Sequence, residues 1–297
     1  MKVIAGIVFF LWLFPGQELY AQSGDATAAP AAQLEDLHKA QAPWFVSRFK
    51  LSAGLFVAVN NTDVRVENAT GTKGTNIDFE NDLGFNRGIG TFLADAQWRA
   101  SRRSRFDLSY YGIHRTAFYT LKKDIDFGDH TYAVDSRVNA FFNTDIYRFS
   151  YGYALLSKPR YEAGLLIGAH VIGAGVGIGI SGANVNSYSD AFSFTAPLPD
   201  VGVWGGYAIN SRWAVNGEFS YLSLTVDNTK GRILSGYLNV TYRLPLLFEV
   251  SLGYTGFNFD VNTVRKNLSG DFKWSYNGPS LTGSYSFGKK KWRMPAY

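Results

Sequence analysis

Chemistry has few footholds in this chain of 297 residues. It contains no cysteine, which excludes a disulfide scaffold and a thiolate metal site. Its four histidines are His38, His114, His130 and His170, and only His114 and His170 fall in segments that read as strand. No nucleophile motif lies near either, although the members of a triad need not be neighbours in sequence. A lone histidine in a strand is more often a hydrogen-bonded structural group, so no catalytic set is assigned. Asp78, Glu80 and Asp82 alternate, and an extended strand would put three carboxylates on one face, as oxygen ligands for a calcium ion. No full ligand loop of known spacing surrounds them. A solvated loop edge, or a partner for loop bases, is the plainer reading, and neither a metal nor a cofactor is expected.

The larger set of candidates is ionic. Arg48, Lys50, Asp95, Arg99, Asp107, Arg115, Arg148, Glu162, Glu218, Arg243 and Glu249 are assigned to the polar face of alternating segments. Six are basic and five acidic. Such near balance points to paired charges that plug a narrow lumen, whereas a selective pore would carry a ring of one sign.

The elements that must hold these charges alternate with period two, as strands do. Phe49, Leu51, Ala53, Leu55, Val57 and Val59 alternate with Arg48, Lys50, Ser52 and Gly54. Phe92, Ala94, Ala96, Trp98 and Ala100 alternate with Thr91, Asp95, Gln97 and Arg99, with Leu93 as an exception. Segments 212–221, 234–244 and 248–255 are equally clean. Their second face carries Ser, Thr, Gly, Asn and single charges, unlike the Lys- and Glu-rich face of a soluble sandwich, and suits a packed polar lumen. Other segments are less regular. Ile113 and His114 disturb the phase after Tyr110, Asn143 and Asp145 share a face with Tyr147 and Phe149, and the glycine-rich stretch 161–180 fixes no phase.

Short polar turns at Ser101–Arg105, Ser157–Arg160, Asn210–Arg212 and Arg243–Leu246 alternate with longer connections at Asn60–Arg87, Lys122–Thr131, Ser181–Pro199, Asp227–Gly231 and Asp260–Asn267. Aromatics flank every short turn: Trp98 and Phe106, Tyr153 and Tyr161, Tyr207 and Trp213, Tyr242 and Phe248. Short turns at one end, long loops at the other and an aromatic rim are the pattern of an up-and-down transmembrane β-barrel. The segments count to ten strands. A hairpin hidden in Asn60–Arg87 would make twelve, and eight is the other alternative.

The N-terminus reads as an export signal over residues 1–22. Lys2 supplies the positive end, Val3–Phe14 is an apolar run too short to span a bilayer, and Pro15-Gly16 breaks it. Residues 23–44 read as a periplasmic leader, 45–287 as the barrel and 288–297 as a basic tail. The net charge of +5 is scattered, with Lys289–Lys291 and Arg293 the one cluster, so nucleic acid is not an expected partner.

Leu281-Thr282-Gly283-Ser284-Tyr285-Ser286-Phe287 resembles the terminal strand signal that the barrel assembly machinery reads, although ten residues follow it. Phe272, Trp274 and Tyr276 have the opposite parity, so a bulge is expected at Gly278-Pro279. Gly74–Phe85, Pro197-Leu198-Pro199 and Trp274–Pro279 resemble segments of Gram-negative outer-membrane β-barrel-domain proteins, across residues 45–287. The resemblance implies a barrel in the bacterial outer membrane, in contact with membrane lipid and lipopolysaccharide, and leaves activity open. The expected role is structural or interactive, in a monomer, without enzymatic activity. A narrow small-solute channel and a lipid-modifying enzyme are the alternatives.

Overall fold

The structure is a computed structural model, described over residues 42–67, 74–182, 185–226, 229–265 and 268–288. The expected signal, most of the leader and the basic tail beyond Gly288 lie outside the described residues, as does His38.

Ten long strands form the wall: β1 (Phe49–Val66), β3 (Gly88–Arg99), β4 (Ser104–Thr120), β7 (Arg137–Ser157), β8 (Tyr161–Gly182), β9 (Val185–Ala208), β10 (Trp213–Val226), β11 (Thr229–Arg243), β12 (Phe248–Arg265) and β13 (Leu268–Phe287). Each pairs antiparallel with its neighbours, and β13 returns to β1, so the sheet closes into an up-and-down barrel. The remaining pieces are β2 (Asn76–Asp78), one helical turn α1 (Phe79–Asp82) and the hairpin β5 (Ile125–Phe127) with β6 (His130–Tyr132). The end that carries the short turns is the turn end, and the opposite one the loop end.

The wall is taller than the sequence rhythm suggests. Its strands run from 12 to 24 residues, whereas a tilted membrane strand needs about 9–11. Most residues of the expected connections Ser181–Pro199 and Asp260–Asn267 are wall strand, paired to Gly182↔Val185 and Arg265↔Leu268. Asn60–Arg87 adds no wall hairpin. β1 continues to Val66, and β2 pairs beside it through Asp63↔Asp78, above the end of β3.

One property organises the wall: its polarity inverts along the strands with no register shift at the level of the inversion, the shifts among the described residues lying at the strand ends, between Ala154 and Leu156 on β7 and between Ile180 and Gly182 on β8. Near the turn end the outward residues are apolar and exposed, such as Leu51, Leu55, Phe149, Leu165, Ile167, Leu238 and Leu252. Toward the loop end the inward residues are apolar instead. Phe56, Phe142, Phe257, Phe259, Trp274 and Tyr276 are at most 3 % exposed. Their outward neighbours there are Asn143, Asp145, Asn258, Asp260 and Lys273. This explains the irregular phases. On β4, Ile113 points in and His114 out, with no break in pairing to β7. On β13 the expected bulge is absent, because the register with β12 runs unbroken from Phe248↔Tyr285 to Arg265↔Leu268. Phe272, Trp274 and Tyr276 face the lumen, not lipid. Their change of parity marks the level at which the outer face of the wall changes from apolar to polar.

Two local features fit the same frame. On β8 the outward positions above Val171 are Gly173, Gly175, Gly177 and Gly179, which carry no side chain to show a period, and Phe141 of β7 lies over Gly175 and Gly177. Pro197 and Pro199 sit where β9 pairs with β8 alone, since its pairing with β10 stops at Val201↔Tyr221. A strand edge tolerates a residue without N–H.

The loop half of the lumen is a continuous apolar core. α1 and its flanks contribute Ile77, Phe79, Leu83 and Phe85, packed with Val138, Ile146, Ile172, Val176, Ile178 and Ile233 from the wall. Rings meet at favourable separations, Phe79 on Phe142 at 5.9 Å and Phe257 on Tyr276 at 5.2 Å.

Candidate functional site: the turn half of the lumen

The inward positions nearest the turns carry the charges. Alternation places Lys50 of β1, Asp95, Gln97 and Arg99 of β3, Arg105 and Asp107 of β4, Arg148 of β7 and Glu162 of β8 on one inner surface. Asp200 of β9, Glu218 of β10 and Glu249 of β12 join them. Direct cross-strand pairing brings Gln97 opposite Asp107, where its amide donates to Oδ1 at 2.6 Å.

Glu218 is the hub. Arg105 Nη2 donates to its Oε2 at 2.6 Å and Arg148 Nη1 to its Oε1 at 2.5 Å. Arg105 Nε also lies 3.1 Å from Asp107 Oδ2, and its guanidinium stands 3.9 Å over the Trp204 ring. Arg148 Nε donates to Asp200 Oδ2 at 3.2 Å. Asp200 in turn lies 2.8 Å from His170 Nδ1 and accepts from Ser220 Oγ at 3.3 Å. Glu162 holds both Arg99 and Arg102, the latter at 2.8 Å. Across the lumen Lys50 Nζ meets Glu249 Oε2 at 2.8 Å, and Ser286 Oγ donates to Glu249 Oε1 at 3.0 Å. Charges removed from water are costly unless paired in this way.

The eleven charges proposed from sequence divide. Arg115 lies in the loop half, where its Nη1 donates to Glu80 Oε1 at 2.6 Å and its guanidinium rests 5.0 Å from the Phe142 ring centre. Arg48 and Arg243 are rim residues. The Arg48 carbonyl accepts from Arg99 N at 2.8 Å, and the Arg243 guanidinium lies 5.8 Å from the Trp44 ring centre. The other eight line the turn half. Sequence reasoning missed Arg105, assigned to a turn although it shares the parity of Asp107. It also misses Asp200, which lies just past the connection Ser181–Pro199 and is assigned to no face.

The three alternating carboxylates share no face. Asp78 caps α1 by accepting from Asn81 N at 2.9 Å, Glu80 is buried on Arg115, and Asp82 takes Lys123 at 2.8 Å. They bend into a helical turn rather than run as a strand, which separates them. Among the described residues no group of three or more His, Asp or Glu is placed to hold a metal ion. His114 faces outward, 3.4 Å from Asp145, while His130 lies 2.8 Å from Asp190 at the loop end.

A cavity of about 270 Å³ remains between these charges and the opposite wall of Ser, Thr and Asn side chains. Tyr276 and Phe56 line it toward the loop end, below the apolar core. Phe45 lines it toward the turn end. Residues 42–47 fold back there, with Phe45 and Val46 buried against Ala208 and Ala214 and Trp44 Nε1 donating to Asn210 O at 2.8 Å. On the outside an aromatic girdle surrounds the turn end. Trp98 stacks on Phe106 at 5.3 Å, Trp213 meets Tyr242 at 4.7 Å, and Phe49 stacks on Phe287 at 5.3 Å across the closing seam.

Among solved structures, the outer membrane protease OmpT from Escherichia coli is similar over 80% of this chain and 96% of that one, with a TM-score of 0.53 and 12% identity. At that identity the likeness is one of fold. The fold is that of a bacterial outer-membrane β-barrel. Ail, the attachment invasion locus protein of Yersinia pestis, matches over 80% of this chain and 98% of that one at 8% identity, with a TM-score of 0.33. The toluene transporter TodX of Pseudomonas putida matches over 81% and 90%, at 8% identity and a TM-score of 0.30. Those two scores are too low to carry an argument. No protein-family pattern matches the chain, and no curated protein matches it in sequence.

Proposed function

We propose that the chain is an outer-membrane β-barrel protein with a structural or interaction role, whose lumen does not conduct. Residence in the membrane is supported by the exposed apolar band, its aromatic girdle and the short turns at one end. The observation that carries the closed lumen is the apolar core of the loop half. Phe142, Phe259 and Trp274 are at most 1 % exposed, in a section where a hydrated path would need polar lining. The paired charges of the turn half and the segment 42–47 narrow the other end. Strands that rise past the apolar band then act as a rigid platform that meets ligands or partners outside the cell.

A non-enzymatic role is supported by how the lumenal histidine is used. Ser220 and His170 both reach Asp200, which also holds Arg148, so the serine hydroxyl is bonded to the acid rather than readied by a base. Membrane lipid, lipopolysaccharide and, during biogenesis, the barrel assembly machinery are the partners of a monomer of this kind. Purified protein in planar bilayers is expected to give no stable conductance, and reproducible single-channel steps would sink the closed lumen.

A further inference from the structure

The lumenal cavity contains one acid too many. Asp107, Glu162, Asp200, Glu218 and Glu249 each have a guanidinium or ammonium nitrogen at 3.2 Å or less. Asp95 has none among the described residues. Its carboxylate accepts from Ser109 Oγ at 2.8 Å and otherwise faces the cavity from the inner side of β3. The nearest bases are engaged elsewhere, Arg105 by Asp107 and Glu218, and Lys50 by Glu249. A carboxylate inside a barrel, with a single hydroxyl donor, keeps most of its desolvation cost until a proton or a cation joins it.

The rest of the cavity narrows what that cation is. Strands β11, β12 and β13 present neutral hydrogen-bonding groups to the same cavity, among them Asn239, Thr255, Ser280 and Thr282, and Tyr111 and Tyr237 also line it. Hydroxyl and amide groups recognise hydroxyls, and tyrosine faces favour a nearby cation. The volume of about 270 Å³ falls just under the roughly 300–1,000 Å³ typical of drug-sized ligands. It suits a single ring. An anion would be repelled by Asp95, and Lys50, Arg99, Arg105 and Arg148 around it each already hold an acid.

We infer that the cavity is a binding site for a small hydroxylated organic cation, an amino sugar or amino polyol. Its ammonium sits on Asp95 and its hydroxyls face the Asn239, Thr255, Ser280 and Thr282 wall. The loop end is closed by the apolar core, so the ligand enters from the turn end, past Phe45. This does not rest on the lack of conductance, since a dead-end pocket and a through-channel can each hold such a ligand.

Calorimetry on the full chain folded in detergent micelles tests the assignment, with D-glucosamine and D-glucose as probes. Glucosamine is expected to bind saturably, and glucose, of similar shape and uncharged, at least about tenfold more weakly. Asp95→Asn is expected to remove that preference while leaving the heat-modifiable gel migration of a folded barrel. Ser109→Ala, which keeps the carboxylate, is expected to retain it. Equal binding of the two sugars, no binding of glucosamine at millimolar concentration, or a preference that survives in Asp95→Asn would overturn the proposal. If Asp95→Asn fails to fold, the contrast between the two sugars on the unaltered protein decides alone.

Discussion

In the loop half of the lumen Trp274 touches Phe142 and Phe257 ring to ring, at 5.5 and 5.7 Å. In the turn half Arg105, Arg148 and Glu218 touch charge to charge. Both halves lie inside the same ten strands, and no register shift among the described residues falls between them, so pairing does not cause the difference. The surroundings of the wall do. Where the outer face is polar and meets water, apolar side chains gain by turning inward, as in any soluble core. Where the outer face is apolar, as on the band proposed to meet lipid, that gain disappears. The interior there is left for hydrogen-bonded and ionic groups, which the closed wall shields.

Packing held by volume should fail by degrees, and packing held by charge should fail abruptly. The largest effect is expected from Glu218→Ala, which takes one of two acids from each of two buried guanidinium groups at once and should cost about 3–5 kcal/mol. Urea unfolding in micelles measures it, and a loss under about 1 kcal/mol would make the hub an ornament of the lumen. Ile172→Val in the loop half removes one methylene from a fully buried site and should cost about 1 kcal/mol. A loss as large as that of Glu218→Ala would erase the contrast. The smallest effect is expected from replacing Arg115 and Glu80 together by Met and Leu. This pair is a charge island within the apolar core, so the double change should be neutral or slightly stabilising, while either single change is costly. A double variant as unstable as the single ones would mean that the loop half also depends on charge.

Much of the wall could be read in the sequence, because in the turn half the outer face is apolar and alternates with a polar inner face. β1 from Phe49 to Val59 and the girdle pairs around each short turn follow from alternation alone. The loop half was harder for a definite reason. There the same alternation has the opposite meaning, so Trp274 and Tyr276 read as a register error and Ile113 as a muddle. Polar strands such as 185–196 read as loop because Ser, Asn and Asp favour turns. Arg115 was given to the common network because periodicity reports the face of a strand and not the height. The partner Glu80 had no signal, since it comes from a helical turn folded into the core. Lys50 with Glu249 and Arg148 with Glu218 were recognisable as lumenal charges, but which acid meets which base depends on shear between strands.

β1 and β13 pair along Phe49↔Phe287 to Val66↔Gly270, so every bond of the seam joins residues more than 200 positions apart. On its lumenal side Gly54 and Gly278 lie so close to the facing backbone that a Cβ would fall about 2 Å from a carbonyl oxygen. Closing a loop of that span costs chain entropy before any seam bond offsets it, which makes such topologies slow to fold. Until closure, β1 and β13 are open edges of 18 and 20 residues, available to any other strand. A substitution at Gly54 or Gly278 therefore bears first on how long the barrel stays open, and on what it joins in that time.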